Sequence, residues 1–274
     1  MKSISVTTEN IIKVSGTEST ETNDTLAVEE PLEISMSIPS AKPPLIGKNI
    51  SITMRTPGND AELALGFLFT EGIITAPDEV FMVDHHGNTA DVILKNNTSA
   101  DLTKLERHFY TSSSCGVCGK ASIDSVRTVR RLDPQQTDFK VPAKLLQTLP
   151  ARLREEQAVF ESTGGLHAAA LFNLEGKLLE LREDVGRHNA LDKLIGAAFQ
   201  EDRLPLNKHL LLLSGRASFE LIQKAAMAGI SFVMAVGAPS SLAVELAGEF
   251  NMTLIGFLSG ERFNIYQGAN RIEL

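Results

Sequence analysis

The chain has 274 residues, 43% of them hydrophobic, and a formal net charge of -8. This length and apolar content suffice for one large domain or two smaller ones, and the acidic excess argues against broad electrostatic binding to nucleic acid phosphates. No apolar run approaches the ~20 residues that span a bilayer. The N-terminus lacks the pattern of a secretory signal, so we expect a cytoplasmic protein that binds neither nucleic acid nor membrane.

The first half of the chain predicts a flexible arm followed by a small α+β lobe. Residues 1–27 are rich in Thr, Ser, Glu and Asn and show no apolar period, although a short strand is predicted over 11–14. Beyond them, alternating apolar and polar residues predict strands, and a helix begins near Asn59 or Asp60, either of which is placed to cap it. The N-terminal lobe is assigned to residues 28–135, with strands at 31–38, 49–55, 80–83 and 89–94 and a helix at 61–70.

The second half alternates strands and helices, which is typical of a sheet with parallel strands. Two apolar runs separated by Leu174-Glu-Gly predict a β-hairpin that leads into a helix. Each later strand is followed by a loop of small residues and a helix, so at least three strands should be parallel. This C-terminal lobe, residues 136–274, makes the fold α/β, or α+β overall. Its predicted strands are 166–173, 177–181, 209–213, 230–236 and 252–257, and its helices 144–160, 187–199, 217–228 and 242–250.

Cys115 and Cys118 are the two cysteines of the chain, and they lie in a Ser- and Gly-rich segment before a predicted polar helix. Cytoplasmic thiols stay reduced, so a structural disulfide is not expected. The positive end of the helix dipole and the nearby Lys120 would favour the thiolate, which is the reactive form. Persulfide transfer and disulfide exchange fit this setting equally well. Half of a zinc site and an inert pair remain as alternatives.

Three loops follow the predicted parallel strands, at residues 214–218, 237–241 and 256–262. In an open parallel sheet, ligands bind outside the carboxyl ends of the strands. Small residues with accessible backbone N–H groups, helix amino ends and two arginines are features that bind phosphate oxygens, although each loop could also be a plain turn. His188, in a charged turn, could contact a ligand, transfer a proton or cap a helix. His167, at the start of a strand, is a weaker candidate.

Six stretches together resemble the formate dehydrogenase accessory sulfurtransferase family (FdhD). They are residues 30–34, 54–74, 115–119, 163–170, 183–193 and 214–218. The resemblance implies a sulfurtransferase that accepts sulfur from a cysteine desulfurase as a persulfide on Cys115, with Cys118 as a resolving or relay thiol. It also implies delivery of this sulfur to the molybdenum bis(molybdopterin guanine dinucleotide) cofactor, a bound substrate that active formate dehydrogenase needs.

The same resemblance implies the remaining site residues and the partners. The family's cofactor-binding segment corresponds to Phe257, Leu258, Ser259, Gly260, Glu261 and Arg262. The phosphates of a guanine dinucleotide would also suit Ser214, Gly215, Arg216 and His188. The implied partners are a cysteine desulfurase, formate dehydrogenase and a second copy in a homodimer, with no permanent metal. The alternatives are a cofactor-binding chaperone with a metal at the cysteine pair and a dithiol oxidoreductase.

The family's C-terminal lobe is similar to the cytidine deaminase fold, and the predicted order of hairpin, helix and alternating strands agrees with this. Deaminases carry a zinc ligand and a catalytic Glu at the start of the first helix and two cysteines at the start of the next. Here these helix starts contain Arg187-His188-Asn189-Ala190 and Gly215-Arg216-Ala217-Ser218. Because the Glu and both cysteines are missing, we do not expect deaminase activity.

Overall fold

The computed structural model describes residues 5–38, 46–95 and 139–274. The predicted N-terminal lobe contains strands β3 (Glu30–Ile38), β4 (Ile46–Arg55), β5 (Val80–His86) and β6 (Thr89–Leu94). They form a four-stranded sheet in the order β4-β3-β6-β5. Leu32, Ile34 and Met36 alternate with polar residues along β3 and are buried. The period of two in the sequence therefore selects the face that packs on the core, as predicted.

The first 27 residues contain a feature that the sequence analysis missed. Strands β1 (Val6–Ser15) and β2 (Glu18–Ala27) form a two-stranded antiparallel hairpin in which Ile12 is paired with Glu21. The strand predicted over 11–14 is part of β1. The remainder was predicted as an arm because both faces of the hairpin are largely exposed, so its residues need no apolar alternation.

Helix α1 (Asp60–Thr70) lies on the buried face of the four-stranded sheet and confirms the helix predicted at 61–70. The predicted cap was wrong. Asn59 occupies the N-cap position in the left-handed region, with φ 59°, and its side chain makes no cap hydrogen bond. The Asp60 carboxylate instead pairs with Arg55 Nε at 2.9 Å and with His85 Nε2 at 2.9 Å. The buried Arg55 guanidinium needs a counter-charge, and this requirement outweighs capping.

The C-terminal lobe is built on a six-stranded sheet in the order β13-β12-β11-β10-β8-β9. Its strands are β8 (His167–Phe172), β9 (Leu178–Asp184), β10 (Leu210–Leu213), β11 (Phe232–Ala235), β12 (Thr253–Gly256) and β13 (Asn264–Gln267), with β7 (Val141–Pro142) lying outside it. Strands β10, β11 and β12 are parallel, and β8 and β9 form an antiparallel hairpin, which confirms both predictions. The edge strand β13 was not predicted, because it has only 4 residues and is only partly buried.

Helices flank this sheet on both faces. They are α2 (Ala143–Glu156) on one face and α4 (Arg187–Gln200), α5 (Phe219–Met227) and α6 (Ser241–Glu249) on the other, whereas the short helix α3 (Ala158–Thr163) contacts β2. The helix predicted at 144–160 is interrupted at Gln157, where ψ is 68°. Leu146, Leu149 and Leu153 of α2 belong to a core on one face of the sheet. Beside α2, β7 pairs in parallel with β14 (Ile272–Glu273).

The two predicted lobes share one hydrophobic core. It joins Leu32 and Ile34 of the small sheet to Leu191 and Ile195 of α4. Helices α1 and α4 cross with their backbones in contact, since a Cβ built on Gly66 would overlap the Asp192 carbonyl and one built on Gly196 would overlap that of Glu62. The lobes are thus locked together by a close helix pair. No helix of the described segments has the length and hydropathy that crossing a lipid bilayer requires.

Candidate functional site

The three strand-end loops lie side by side at the carboxyl edge of the parallel strands. The backbone N–H of Gly237 donates to the carbonyl oxygen of Gly215 at 2.9 Å, and that of Phe257 donates to the carbonyl oxygen of Gly237 at 3.1 Å. A Cβ on Gly237 would lie 3.0 Å from both Arg216 N and Gly215 O, so a small residue is needed where the loops meet. The prediction that these loops share one edge of one sheet is confirmed.

The first loop connects the sheet to the amino end of α5. The Ser214 hydroxyl accepts a hydrogen bond from the backbone N–H of Ala168 at 2.7 Å, so this side chain has a structural partner. Gly215 lies against the imidazole of His167, because a Cβ there would be 3.1 Å from Nδ1. Arg216 is exposed to solvent. Of the three residues predicted for this loop, Arg216 is the one with a side chain available to a ligand.

The third loop, residues 257–262, is largely closed by its own hydrogen bonds. The Ser259 hydroxyl donates to the Arg262 carbonyl at 3.0 Å and accepts from the N–H of Glu261 and of Arg262. The N–H groups of Phe257, Leu258 and Ser259 donate to other backbone carbonyls. These N–H groups are therefore not free to bind phosphate oxygens, so the prediction of accessible backbone N–H groups in this loop was wrong. Gln147 on α2 steadies the loop through the Glu261 carbonyl at 3.0 Å.

The side chains of this loop differ in what they could contact. Leu258 is only 1% exposed and belongs to the core, so its side chain is not available to a ligand. Phe257 adopts the left-handed region, with φ 53°, and its ring is 45% exposed. Gly260, Glu261 and Arg262 are also exposed. The loop thus offers one aromatic face and one guanidinium, beside a carboxylate that would repel an anion.

His188 connects the amino end of α4 with the amino end of α5. Its Nε2 lies 3.2 Å from the Ser218 hydroxyl and 3.8 Å from a Glu220 carboxylate oxygen. Burial alone would raise the pKa of Glu220, but hydrogen bonds from His188, the Glu220 backbone and Ser218, together with the His188 charge, lower it to about 2. His188 therefore holds the start of α4 against the start of α5. Its proposed contact with a ligand remains a prediction.

His167 is more closely integrated into the site than the sequence indicated. Its pKa is lowered by burial and by the positive charges of Arg187, His188 and Arg216, and Asp184 opposes the shift only in part. We refer to His167, Arg187, His188 and Arg216 as the cationic cluster. The members come from β8, α4 and the loop before α5, so only the tertiary structure brings them together.

Arg187 was not among the predicted site residues, although it opens helix α4. Its Nε atom is buried and has no hydrogen-bond partner in the described structure. No carboxylate of the described residues forms an ion pair with Arg187 or Arg216. The signal that could have identified it is its position directly after Gly186 at a helix start, where an arginine faces the positive end of the dipole.

The rest of the charged turn 182–189 is structural. Asp184 is fully buried and pairs with Lys193 Nζ at 2.7 Å. Its carboxylate also accepts hydrogen bonds from the N–H of Thr56 at 3.1 Å and of Gly186 at 2.8 Å. Burial raises the pKa of Asp184, and the Lys193 charge opposes this shift. The turn thus ties α4 to the N-terminal lobe while it positions Arg187 and His188 at the sheet edge.

The predicted reactive residues Cys115 and Cys118 lie outside the described residues. Within the described segments, no group of three or more His, Cys, Asp and Glu side chains could hold a metal ion. The described part of the site is therefore the strand-end edge with its cationic cluster.

Residues 27–273 match the model of the FdhD/NarQ family. The chain belongs to this family. A relative from Streptomyces avermitilis, named sulfur carrier protein FdhD, is 51% identical over 263 residues and the match covers 92% of this chain and 90% of the relative. A relative of the same name from Saccharolobus solfataricus is 39% identical over 96% of each chain. Thus the family resemblance predicted from the six stretches is confirmed.

A solved structure shares the fold. The crystal structure of a proposed formate dehydrogenase accessory protein from Desulfotalea psychrophila superposes with a TM-score of 0.74. It is 22% identical in sequence, and the match covers 98% of this chain and 99% of the other. The mixed α/β architecture that was predicted from the sequence is therefore that of a known fold.

Proposed function

We propose that this protein is a sulfur carrier that takes up sulfur as a persulfide on Cys115 and delivers it to a molybdenum bis(molybdopterin guanine dinucleotide) cofactor for formate dehydrogenase. The observation that carries the proposal is the 51% identity to a protein named sulfur carrier protein over 92% of this chain. The name of the Desulfotalea psychrophila protein supports the link to formate dehydrogenase. Arg187 and Arg216 at the strand-end edge have no carboxylate partner among the described residues, which supports a ligand that bears phosphate.

The chemistry requires two steps at the cysteine pair. In the first, the Cys115 thiolate attacks the outer sulfur of a persulfide on the cysteine desulfurase, whose own cysteine leaves as a thiolate. In the second, the Cys118 thiolate attacks the inner sulfur on Cys115, so the outer sulfur leaves as sulfide toward the cofactor. The two thiols supply the two electrons and become a disulfide, which a cellular dithiol must reduce before the next cycle.

The phosphates of the cofactor would lie at the strand-end edge. Arg216 and Arg262 are exposed there, and the Phe257 ring could stack on a guanine base. This chain would bind the cofactor as a substrate. The affinity of the strand-end edge for the cofactor and the loading of sulfur on Cys115 can therefore be measured separately.

Mass spectrometry tests the sulfur step. The purified protein is incubated with a cysteine desulfurase and cysteine, and its cysteine peptides are examined for an added sulfur atom. The wild type should gain one sulfur on the peptide that carries Cys115. Cys115→Ala should load none while its urea unfolding midpoint is unchanged, and Cys118→Ala should load but release sulfide more slowly.

The same preparation allows a metal analysis that bears on the proposal. Zinc at one equivalent in the wild type, together with equal loading of the wild type and Cys115→Ala, would contradict the proposal. This result would favour a chaperone with a structural metal at the cysteine pair.

A further inference from the structure

We propose that two copies of this chain associate by exchanging their N-terminal hairpins, so that the hairpin of each copy packs on the exposed face of strand β4 in the other. The N-terminal hairpin consists of β1 and β2, and the acceptor surface consists of the exposed side chains Ile52 and Met54 of β4. The inference goes beyond the proposed function, because it assigns the surfaces through which this chain would meet a second copy.

The N-terminal hairpin projects from the protein with contacts near its base. Strands β1 and β2 have 10 residues each, which gives a ribbon about 33 Å long. At the base, the Ser5 hydroxyl donates to the Pro57 carbonyl at 3.2 Å, β2 contacts α3, and Ala27 lies near Gly165. Most residues beyond the base are exposed. A two-stranded hairpin is marginally stable by itself in water, so this hairpin needs a surface to pack on.

The two faces of the hairpin differ in charge. The register places Ile12 and Val14 on one face, opposite Glu21 and Ser19, and Ile12 and Val14 are each 68% exposed. The other face carries the remaining charged side chains of the two strands, which are Glu9, Lys13, Glu18 and Asp24. An antiparallel ribbon with one charged face is typical of a sheet that is solvated on that side and covered on the other.

The acceptor surface lies on an edge strand. Strand β4 is at one edge of the four-stranded sheet, and Ile52 and Met54 are 55% and 40% exposed. The charged residues of this strand are Lys48 and Arg55, and Arg55 is buried against Asp60. Exposed apolar side chains on an edge strand with little charge favour contact with another strand. This surface is therefore suited to the apolar face of the hairpin.

The hairpin base and the acceptor surface are neighbours on the same chain. Pro57, which accepts the hydrogen bond from Ser5, lies two residues after the end of β4. The hairpin nevertheless leaves Ile52 and Met54 of its own chain exposed. When a projecting element lies beside the surface that accepts it, one two-fold axis forms both contacts at once and closes the assembly. A ribbon of about 33 Å is also long enough to cross a second copy.

Charge favours a second copy as the occupant of the acceptor surface. The two strands of the hairpin contain four acidic side chains and one lysine. The Asn189 side chain at the amino end of α4 donates to the Met54 carbonyl at 2.7 Å, so the acceptor surface adjoins the helix that begins at Arg187. Arg187 and Arg216 have no carboxylate partner among the described residues. An acidic hairpin would thus be attracted to the cationic side of another copy.

Sedimentation velocity of the full chain over a range of concentrations tests the role of the hairpin. We expect the wild type to dimerise, and Ile12→Glu with Val14→Glu to raise the Kd of the dimer by about tenfold or more, because each contact loses apolar burial. Thr20→Glu with Thr22→Glu is the matched control, since it adds the same charges to the other face of the hairpin. This control should keep the dimer.

The acceptor surface is tested in the same way. Ile52→Glu should also raise the Kd of the dimer by about tenfold or more. Phe81→Glu is its control, because Phe81 is 67% exposed on β5, the opposite edge of the same sheet. Ile12→Lys should weaken the dimer as well. Combined with Ile52→Glu in one chain, it should restore much of the affinity, since exchange brings the two opposite charges together between copies.

Several results would overturn the inference. A wild type that stays monomeric up to about 100 µM would do so, as would a dimer that Ile12→Glu with Val14→Glu leaves intact. Loss of the dimer in the hairpin variant but not in Ile52→Glu would place the hairpin on another surface. A monomeric wild type whose hairpin variant loses affinity for the cysteine desulfurase would assign the hairpin to that protein instead. Loading of Cys115 does not enter these measurements, so this inference and the proposed function can fail separately.

Discussion

The charged side chains in the middle of helix α4 are buried in ion pairs, whereas the one at its amino end is not. In its middle, Asp192 is buried and pairs with Lys224 at 2.8 Å, and Lys193 is buried and pairs with Asp184. At its amino end, Arg187 has no ion-pair partner in the described structure. Charged side chains therefore have two roles in this protein. Paired charges join the lobes, whereas unpaired cations mark the edge where a ligand would bind.

The physical reason for the difference is desolvation. A buried charge without a partner costs several kcal/mol, so a charged group in the lobe contact must be neutralised by its neighbours. Asp192 meets this requirement with Lys224 and with the Thr70 hydroxyl at 2.9 Å. At the sheet edge, Arg187 is half-buried and Arg216 is exposed, so water reaches these side chains in part, although the Nε atom of Arg187 is itself buried. An unpaired cation is therefore tolerated only at that end of the helix.

The largest expected effect comes from breaking the pair in the middle of α4. Lys224→Met leaves the Asp192 carboxylate buried with only Thr70, which should lower the free energy of unfolding by about 3–5 kcal/mol. Urea denaturation followed by circular dichroism measures this change. Arg216→Gln, which removes an exposed cation at the strand-end edge, should stay within about 0.5 kcal/mol of the wild type.

A double variant sharpens the first prediction. Lys224→Met combined with Asp192→Leu replaces the ion pair with apolar groups of similar size and should recover most of the lost stability. If Lys224→Met cost no more stability than Arg216→Gln, the distinction between the buried ion pairs of α4 and the exposed cations at the strand-end edge would be wrong.

A smaller effect is expected where α4 crosses α1. Gly196→Ala places a methyl group against the Glu62 carbonyl, so the helices must separate, at a cost of about 1–3 kcal/mol. The higher helix propensity of alanine offsets this by about 1 kcal/mol. Gly260→Ala is the matched control, because its new Cβ would be 4.0 Å from the nearest atom, Gln147 O. Equal unfolding midpoints for the two variants would contradict the close crossing.

The smallest expected effect is a dependence of stability on pH through His167. Burial and the neighbouring cations lower its pKa in the folded protein, so the unfolded chain binds this proton at higher pH. The contribution of His167 is complete above the unfolded pKa of about 6.5 and decreases as the pH falls toward the folded value.

Unfolding midpoints measured at about pH 7.5 and about pH 5.5 check this prediction. His167→Gln should show a shallower loss of stability at the lower pH. The remaining slope should include His209, whose pKa is lowered mainly by burial. An identical dependence of stability on pH in the wild type and in His167→Gln would show that the neighbours of His167 do not disfavour its protonated form.

Much of the fold could be predicted because it rests on local periodicity. Leu32, Ile34 and Met36 show a period of two, and the buried strand Leu210–Leu213 reads as an apolar run followed by a loop of small residues. Where an element is exposed on all sides, this signal is absent, so the hairpin of β1 and β2 was missed. The predicted side-chain cap failed for another reason: Asn59 lies in the left-handed region and makes no cap hydrogen bond, while the Asp60 carboxylate pairs with the buried Arg55.

The sequence by itself determined the alternation of strands and helices, the placement of three loops at one sheet edge and the family to which the chain belongs. Those properties depend on residues that are close together in the chain or on motifs in a fixed order. Only the tertiary structure decided that Arg187 has no ion-pair partner among the described residues and that Arg187 and Arg216 help to lower the pKa of His167. It also decided that most N–H groups of loop 257–262 are hydrogen-bonded within the protein. Charge and hydrogen bonding act between atoms that are close in space, and this proximity is set by the packing of the two lobes.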